Sequence, residues 1–137
     1  MLHHLSLGVR DLERAGRFYD AVLAALGYRR VFEDDTAIGY GLVDDEDLLC
    51  LKLREGAVAP GPGFHLALTA TTREAVDTFH RAALATGGQD NGPAGLRPDY
   101  GERYYAAFVI DPDGHRIEAV TRAAPDAVSL MQVLKAL

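Results

Sequence analysis

The sequence has a single cysteine, Cys50, and no tryptophan among its 137 residues. One cysteine excludes an internal disulfide and suits a reducing compartment. Basic residues are also scarce, since 14 Lys and Arg stand against 20 Asp and Glu for a formal net charge of −6. Phosphate binding requires clustered Lys and Arg, so this balance argues against a nucleic-acid partner. The chain has no run approaching the roughly 20 apolar residues of a membrane span and no signal-peptide pattern. We therefore expect a cytoplasmic protein with no membrane contact.

The composition that is left is that of an ordinary globular protein, 48% hydrophobic and 25% charged. A chain of this length buries a hydrophobic core without disulfides or a structural metal. We expect one domain over residues 1–123 and a C-terminal tail over residues 124–137. A short helix beginning near Pro125 is predicted to dock on the domain or on a partner subunit, unless the tail is a disordered end.

Two histidines open the stretch HHLSLGVRDLERAGRFY. Apolar residues occupy every second position over residues 5–9, which predicts a strand with one apolar face and places His4 on the opposite, polar face. Asp11 follows as the expected N-cap of an amphipathic helix that ends at Gly27. Further strands are predicted over residues 28–33, 38–43 and 48–53.

The chain then repeats this unit. HLSLGVRDLERAGRFYDAVLAALG aligns without a gap to HLALTATTREAVDTFHRAALATGG, and nine of the 24 pairs are identical, including His4 with His65. We predict an α+β fold of two tandem β-α-β-β-β modules, over about residues 2–56 and 64–122, joined by a linker over residues 57–63. Their sheets are expected to form one cupped, partly closed surface.

The last hairpin, YYAAFVIDPDGHRIEAV, carries further candidates around its DPDG turn. Alternation in the final strand places Arg116 and Glu118 on the face opposite its apolar residues. In the strand before it, Phe108 is assigned to the apolar face, which leaves Arg103 and Tyr105 on the other. If all apolar faces pack under the helices, the opposite faces line one cup.

The tandem modules, the histidine early in each first strand and the closing DPDG-x-x-I-E motif together resemble the vicinal oxygen chelate superfamily over residues 2–122. That superfamily includes glyoxalase I, extradiol dioxygenases, fosfomycin-resistance transferases and bleomycin-resistance binding proteins. In its metal-using members the cup binds one divalent ion, and the matching positions here are His4, His65 and Glu118. Two imidazoles and one carboxylate suit Zn, Fe, Mn, Ni or Co. The resemblance also implies a homodimer, in which modules can be exchanged between chains.

One ligand of the glyoxalase I pattern is missing, because the fourth strand of the first module is DLLCLKL and has no carboxylate on its cup face. Cys50 is the nearest counterpart, and Lys52 shares its face. We take Cys50, Lys52, Arg103 and Arg116 as candidate substrate-binding residues and Tyr105 as the candidate catalytic residue. Cations around the cup favour an anionic substrate.

The expected function is therefore that of a divalent-metal-dependent lyase, transferase or dioxygenase acting on a small, oxygen-chelating, anionic substrate. The alternative is a non-catalytic protein of the bleomycin-resistance type that binds or sequesters a small molecule in the same cup. The sequence leaves the substrate, the reaction class and the metal open. Residues 88–103 lack periodicity and are predicted to be a loop, either a lid carrying Arg97 and Tyr100 or a variable connection.

Overall fold

The computed structural model of the protein describes residues 1–125, so the predicted tail helix lies outside the described residues. Each half of this range forms one β-α-β-β-β unit. The first unit comprises β1 (Leu5–Val9), α1 (Leu12–Ala25), β2 (Arg29–Glu33), β3 (Ala37–Val43) and β4 (Glu46–Leu53). The second comprises β5 (Leu66–Thr69), α2 (Arg73–Ala85), β6 (Gln89–Leu96), a 3₁₀ turn (Pro98–Tyr100), β7 (Tyr105–Ile110) and β8 (Arg116–Thr121).

Both helices begin at side-chain caps. The Asp11 side chain accepts a hydrogen bond from the backbone N–H of Arg14, as expected for an N-cap. At α2 the cap is Thr72, whose side chain accepts from the N–H of Ala75. Neither described helix has the length and apolar character needed to cross a membrane.

Each unit contains one four-stranded sheet, in the order β1-β4-β3-β2 and β5-β8-β7-β6. The β1–β4 and β5–β8 pairs are parallel, and the other pairs are antiparallel. The two sheets are not closed into a barrel. The predicted α+β, glyoxalase-like architecture is thus confirmed.

One buried cluster draws its residues from both units, and α1 packs against α2. Phe18 of α1 and Phe79 of α2, which occupy equivalent positions of the repeat, are both fully buried. Burying a side chain of this size contributes about 1.5–3 kcal/mol. The helices therefore cover one face of each sheet and leave the other face free for a site.

The prediction of a loop over residues 88–103 is wrong for its first half. These residues form β6 along the edge of the second sheet. The strand is irregular, with register shifts at Gly92 and Gly95. Gly92 has φ +146°, and a Cβ there would lie 3.0 Å from the Phe108 ring. Glycines at such positions remove the apolar alternation by which a strand is recognised from sequence.

Candidate functional site

The second sheet brings two predicted metal ligands together on the face that the helices leave free. Ala67 of β5 lies opposite Glu118 of β8, and His65 immediately precedes β5 on the same side as Ala67. His65 Nε2 lies 2.5 Å from Glu118 Oε1. The Glu118 side chain is only 4% exposed, whereas that of His65 is 40% exposed. The imidazole therefore faces the open side of a nearly enclosed carboxylate.

A tyrosine that the sequence does not single out completes this pair. The Tyr104 hydroxyl donates a hydrogen bond to Glu118 Oε2, the oxygen that His65 leaves free. Burial, together with the hydrogen bond to the Glu118 carboxylate, raises the pKa of Tyr104 to about 12. The phenol is consequently a protonated donor at neutral pH. Its signal in the sequence is obscured by the neighbouring Tyr105, since only one of two adjacent residues in a strand can face the site.

Aromatic and cationic side chains surround the pair. The Phe108 ring lies 5.7 Å from the His65 ring, measured between centroids. The Arg122 guanidinium stacks on Tyr104, and that of Arg97 stacks on Phe108. These arginines lie within the distance at which cations are attracted to aromatic faces.

The pair forms part of the wall of an open concavity of about 970 Å³. Arg116 lies on its wall beside the Pro60–Gly63 segment of the linker, and Arg122 and Tyr100 lie on its wall as well. A concavity of this volume has the size of a small-molecule site. Its lining combines one carboxylate, one imidazole, two arginines and several aromatic rings, a mixture suited to a polar ligand with a planar or apolar part.

His4 lies away from this concavity. The backbone N–H of Arg10 donates to Asp113 Oδ1 at 3.0 Å, so the C-terminal end of β1 lies at the turn that precedes β8. His4 lies near the opposite end of β1 and lines a separate pocket together with Leu66–Thr69 of β5, the strand that follows His65. Its Nδ1 lies 2.8 Å from Nδ1 of His3 instead. Within residues 1–125 the three predicted ligands do not form one cluster able to hold an ion, because His4 is not on the wall that carries His65 and Glu118.

Cys50 occupies in the first sheet the position that Glu118 has in the second. Ser6 pairs with Cys50 just as its repeat equivalent Ala67 pairs with Glu118. The thiol is buried and burial raises its pKa, which keeps it protonated at neutral pH. Lys52 is half-buried two residues further along the strand. These two residues lie on the sheet that carries His4, not on the concavity's wall.

The expected positions of Tyr105 and Arg103 on the cup face are wrong. The Tyr105 hydroxyl donates to Asp77 of α2 at 2.5 Å, on the helix-covered side of the sheet. Arg103 precedes β7, is exposed and is not part of the concavity's wall. Tyr105 is expected on the cup face because Phe108 is assigned to the core. β7 is apolar on both faces, so alternation alone does not show which face is buried.

The two ligand-type side chains of one chain, His65 and Glu118, fit a divalent ion only in part. Imidazole nitrogen and carboxylate oxygen are suitable ligands, but an ion about 2.0–2.2 Å from each atom requires them to lie about 3.0–3.4 Å apart. His65 and Glu118 would have to separate by somewhat less than 1 Å. Within residues 1–125 no three His, Cys, Asp or Glu side chains are close enough to hold one ion. The described part of one chain therefore brings two ligand-type side chains together here, those of His65 and Glu118.

Comparison with known proteins identifies the class of protein to which this fold belongs. The chain is a member of the Glyoxalase/Bleomycin resistance protein/Dioxygenase superfamily, whose family model matches residues 1–119. The resemblance inferred from sequence is thereby confirmed. No curated protein has significant sequence similarity to the chain.

Solved structures give the same result. A glyoxalase/bleomycin resistance protein from Albidiferax ferrireducens T118 is 31% identical, with a TM-score of 0.75 over 86% of this chain and 95% of the other. The fold is shared with fosfomycin resistance protein FosX from Mesorhizobium loti, at 19% identity and a TM-score of 0.64 over 96% and 97% of the two chains. It is also shared with a glyoxalase I mutant from Zea mays, at 23% identity and 0.67 over 87% and 46%.

Proposed function

We propose that the protein is a divalent-metal-dependent enzyme of this superfamily, of the lyase, transferase or dioxygenase type, which acts on a small, anionic, oxygen-chelating substrate. The observation that supports this most directly is the convergence of His65 Nε2 and Glu118 Oε1 at the wall of the concavity. Members of the superfamily commonly use a divalent metal. An ion held by this pair would act as a Lewis acid on the substrate oxygens that chelate it.

His4 of a second copy of the chain is the proposed third ligand. Within one chain His4 lines a different pocket from His65 and Glu118, so an intramolecular triad would require these side chains to rearrange. A homodimer in which the first sheet of one copy faces the second sheet of the other avoids this cost. It would also cover Leu42, Val43 and Leu48 of the first unit, which are 62%, 55% and 47% exposed.

The roles of this chain's other residues follow from their positions. Arg116 is exposed on the concavity's wall and would bind an anionic group of the substrate. Tyr104 and Phe108 line the same wall and would exclude water from one side of the bound molecule. Lys52 and Cys50 would approach the substrate from the first sheet of the second copy, opposite the His65–Glu118 pair.

A non-catalytic binding protein of the bleomycin-resistance type is the second candidate. It is favoured by the direct contact between His65 and Glu118, which satisfies both side chains without a metal. The aromatic wall and the volume of about 970 Å³ also suit a larger planar ligand. Metal content distinguishes the two functions.

We expect the protein, purified without chelators and loaded with Zn, Fe, Mn, Ni or Co, to contain about one divalent ion per chain. His4→Ala should remove most of this metal because it deletes one of three ligands, whereas His3→Ala, the matched control one residue earlier, should retain it. Elemental analysis of the three proteins is the measurement. Absence of metal from the wild type under all loading conditions would exclude the enzyme and leave the binding protein.

A further inference from the structure

The carboxylate of Glu118 is held at both oxygens. His65 contacts Oε1, and the Tyr104 hydroxyl donates to Oε2. With its side chain only 4% exposed, Glu118 has little access to water that could replace a lost hydrogen bond. The phenol therefore determines the rotation of the carboxylate about its last bond and leaves Oε1 directed at the imidazole.

The Tyr104 ring is itself held from several sides. Its backbone carbonyl accepts from the N–H of Arg97 at 2.8 Å, and its own N–H donates to Gly101 at 3.2 Å. The Arg122 guanidinium lies 5.7 Å from the ring centroid, and the Tyr100 ring lies 5.3 Å away in an edge-to-face arrangement. A ring anchored by backbone and side-chain contacts has few alternative orientations, so its hydroxyl has a defined place.

We propose that Tyr104 is a positioning residue that orients Glu118 as a metal ligand. The inference rests on the proposed function, because it requires Glu118 to bind an ion. Partners that orient a ligating group typically change metal affinity by about 10- to 100-fold when they are removed. Tyr104 acts through Glu118 and does not itself contact the ion.

The chain offers a matched control in the next residue. The Tyr105 hydroxyl also donates to a carboxylate, that of Asp77, and its ring also carries a stacked arginine, Arg73. Tyr105 differs in facing the helix-covered side of the sheet. Tyr104→Phe and Tyr105→Phe therefore remove the same atom from neighbouring residues on opposite faces.

The test is the affinity of the full-length, metal-free proteins for Zn²⁺ and Co²⁺, measured by competition with a chelator, together with the visible absorption spectrum of the Co²⁺ forms. Tyr104→Phe should weaken binding by about 10- to 100-fold and alter the Co²⁺ spectrum. Tyr105→Phe should match the wild type in both. In a Glu118→Gln background, Tyr104→Phe should have no further effect, because its action passes through the carboxylate.

If Tyr104→Phe binds Zn²⁺ and Co²⁺ as tightly as the wild type does, the inference is overturned while the proposed function stays intact. An equal loss in Tyr105→Phe, or an undiminished loss in the Glu118→Gln background, would also overturn it, because either result indicates a general effect on the fold. Failure of the wild type to bind either ion would overturn the proposed function and this inference together.

Discussion

Of the predicted substrate-binding cations, Arg116 lies on the concavity's wall in the folded chain. It lies two residues before Glu118 on the same face of β8, and its guanidinium has no ion-pair partner within residues 1–125. The other predicted cations are less well placed, since Lys52 belongs to the first sheet and Arg103 lies outside the concavity. An exposed guanidinium next to the His65–Glu118 pair is suited to binding a carboxylate or phosphonate.

We expect small carboxylates or phosphonates to raise the melting temperature of the metal-loaded protein. A ligand at a concentration 100 times its dissociation constant stabilises the folded state by about 2.7 kcal/mol. Arg116→Gln should lose most of this stabilisation, because it removes the charge that binds the anion. Arg103→Gln, an equally conservative change outside the concavity, should retain it. A thermal-shift screen gives the result, and stabilisation by neutral catechols without any effect of anions would refute an anionic substrate.

The β7–β8 turn of the second unit forms hydrogen bonds with the first unit. Asp111 accepts hydrogen bonds from the Tyr19 hydroxyl at 2.6 Å and from His115 Nδ1 at 2.8 Å. Its other oxygen accepts from the backbone N–H groups of Asp113 and His115. Burial alone would raise the pKa of Asp111, but the hydrogen bonds from His115 and Tyr19 outweigh it and lower the pKa. A buried carboxylate thus connects α1 to the turn before β8.

Because the pKa of Asp111 is lower in the folded than in the unfolded chain, its contribution to stability is full above about pH 4 and is lost as the pH falls through the folded value. Asp111→Asn should destabilise the protein by roughly 3 kcal/mol at neutral pH, since it replaces an acceptor by a donor that faces two donors. Its acid dependence should be shallower than that of the wild type. Urea unfolding between pH 3 and 7 measures both effects.

Asp44 provides the control for this experiment. It lies in the equivalent hairpin of the first unit and pairs with Arg29 at the surface, where the side chain is 78% exposed. Exposed pairs of this kind are worth little, so Asp44→Asn should change the stability by less than about 1 kcal/mol. A comparable loss of stability in Asp111→Asn and Asp44→Asn would mean that the buried hydrogen bonds of Asp111 contribute no more than an exposed ion pair.

At the scale of the whole molecule, the proposed site requires two copies of the chain. We expect light scattering to give about twice the 14.8 kDa of one chain. His4→Ala and His65→Ala should each lack metal, but a mixture refolded together should recover about a quarter of the wild-type content. Half of the randomly formed dimers are mixed, and one of the two sites in each mixed dimer is intact. Monomers at micromolar concentration, or mixtures without metal, would contradict the shared site.

The sequence by itself determined the repeat, the α+β class and the proximity of His65 to Glu118. These features depend on local alternation, helix caps and a gapless self-alignment, which are properties of short segments. The parallel pairing of the first and last strands of the second unit then brings His65 near Glu118, because His65 lies two residues before Ala67, the partner of Glu118, on the same face.

Only the tertiary structure decided which face of β7 is buried, and hence that Tyr104 and not Tyr105 contacts Glu118. A strand that is apolar on both faces contains no local signal for the buried side, which depends on the helix that covers it. The burial of His115 in the β7–β8 turn and the placement of His4 and His65 in different pockets have the same origin. They depend on how one unit packs on the other, and contacts between residues far apart in the chain leave no periodic pattern in either segment.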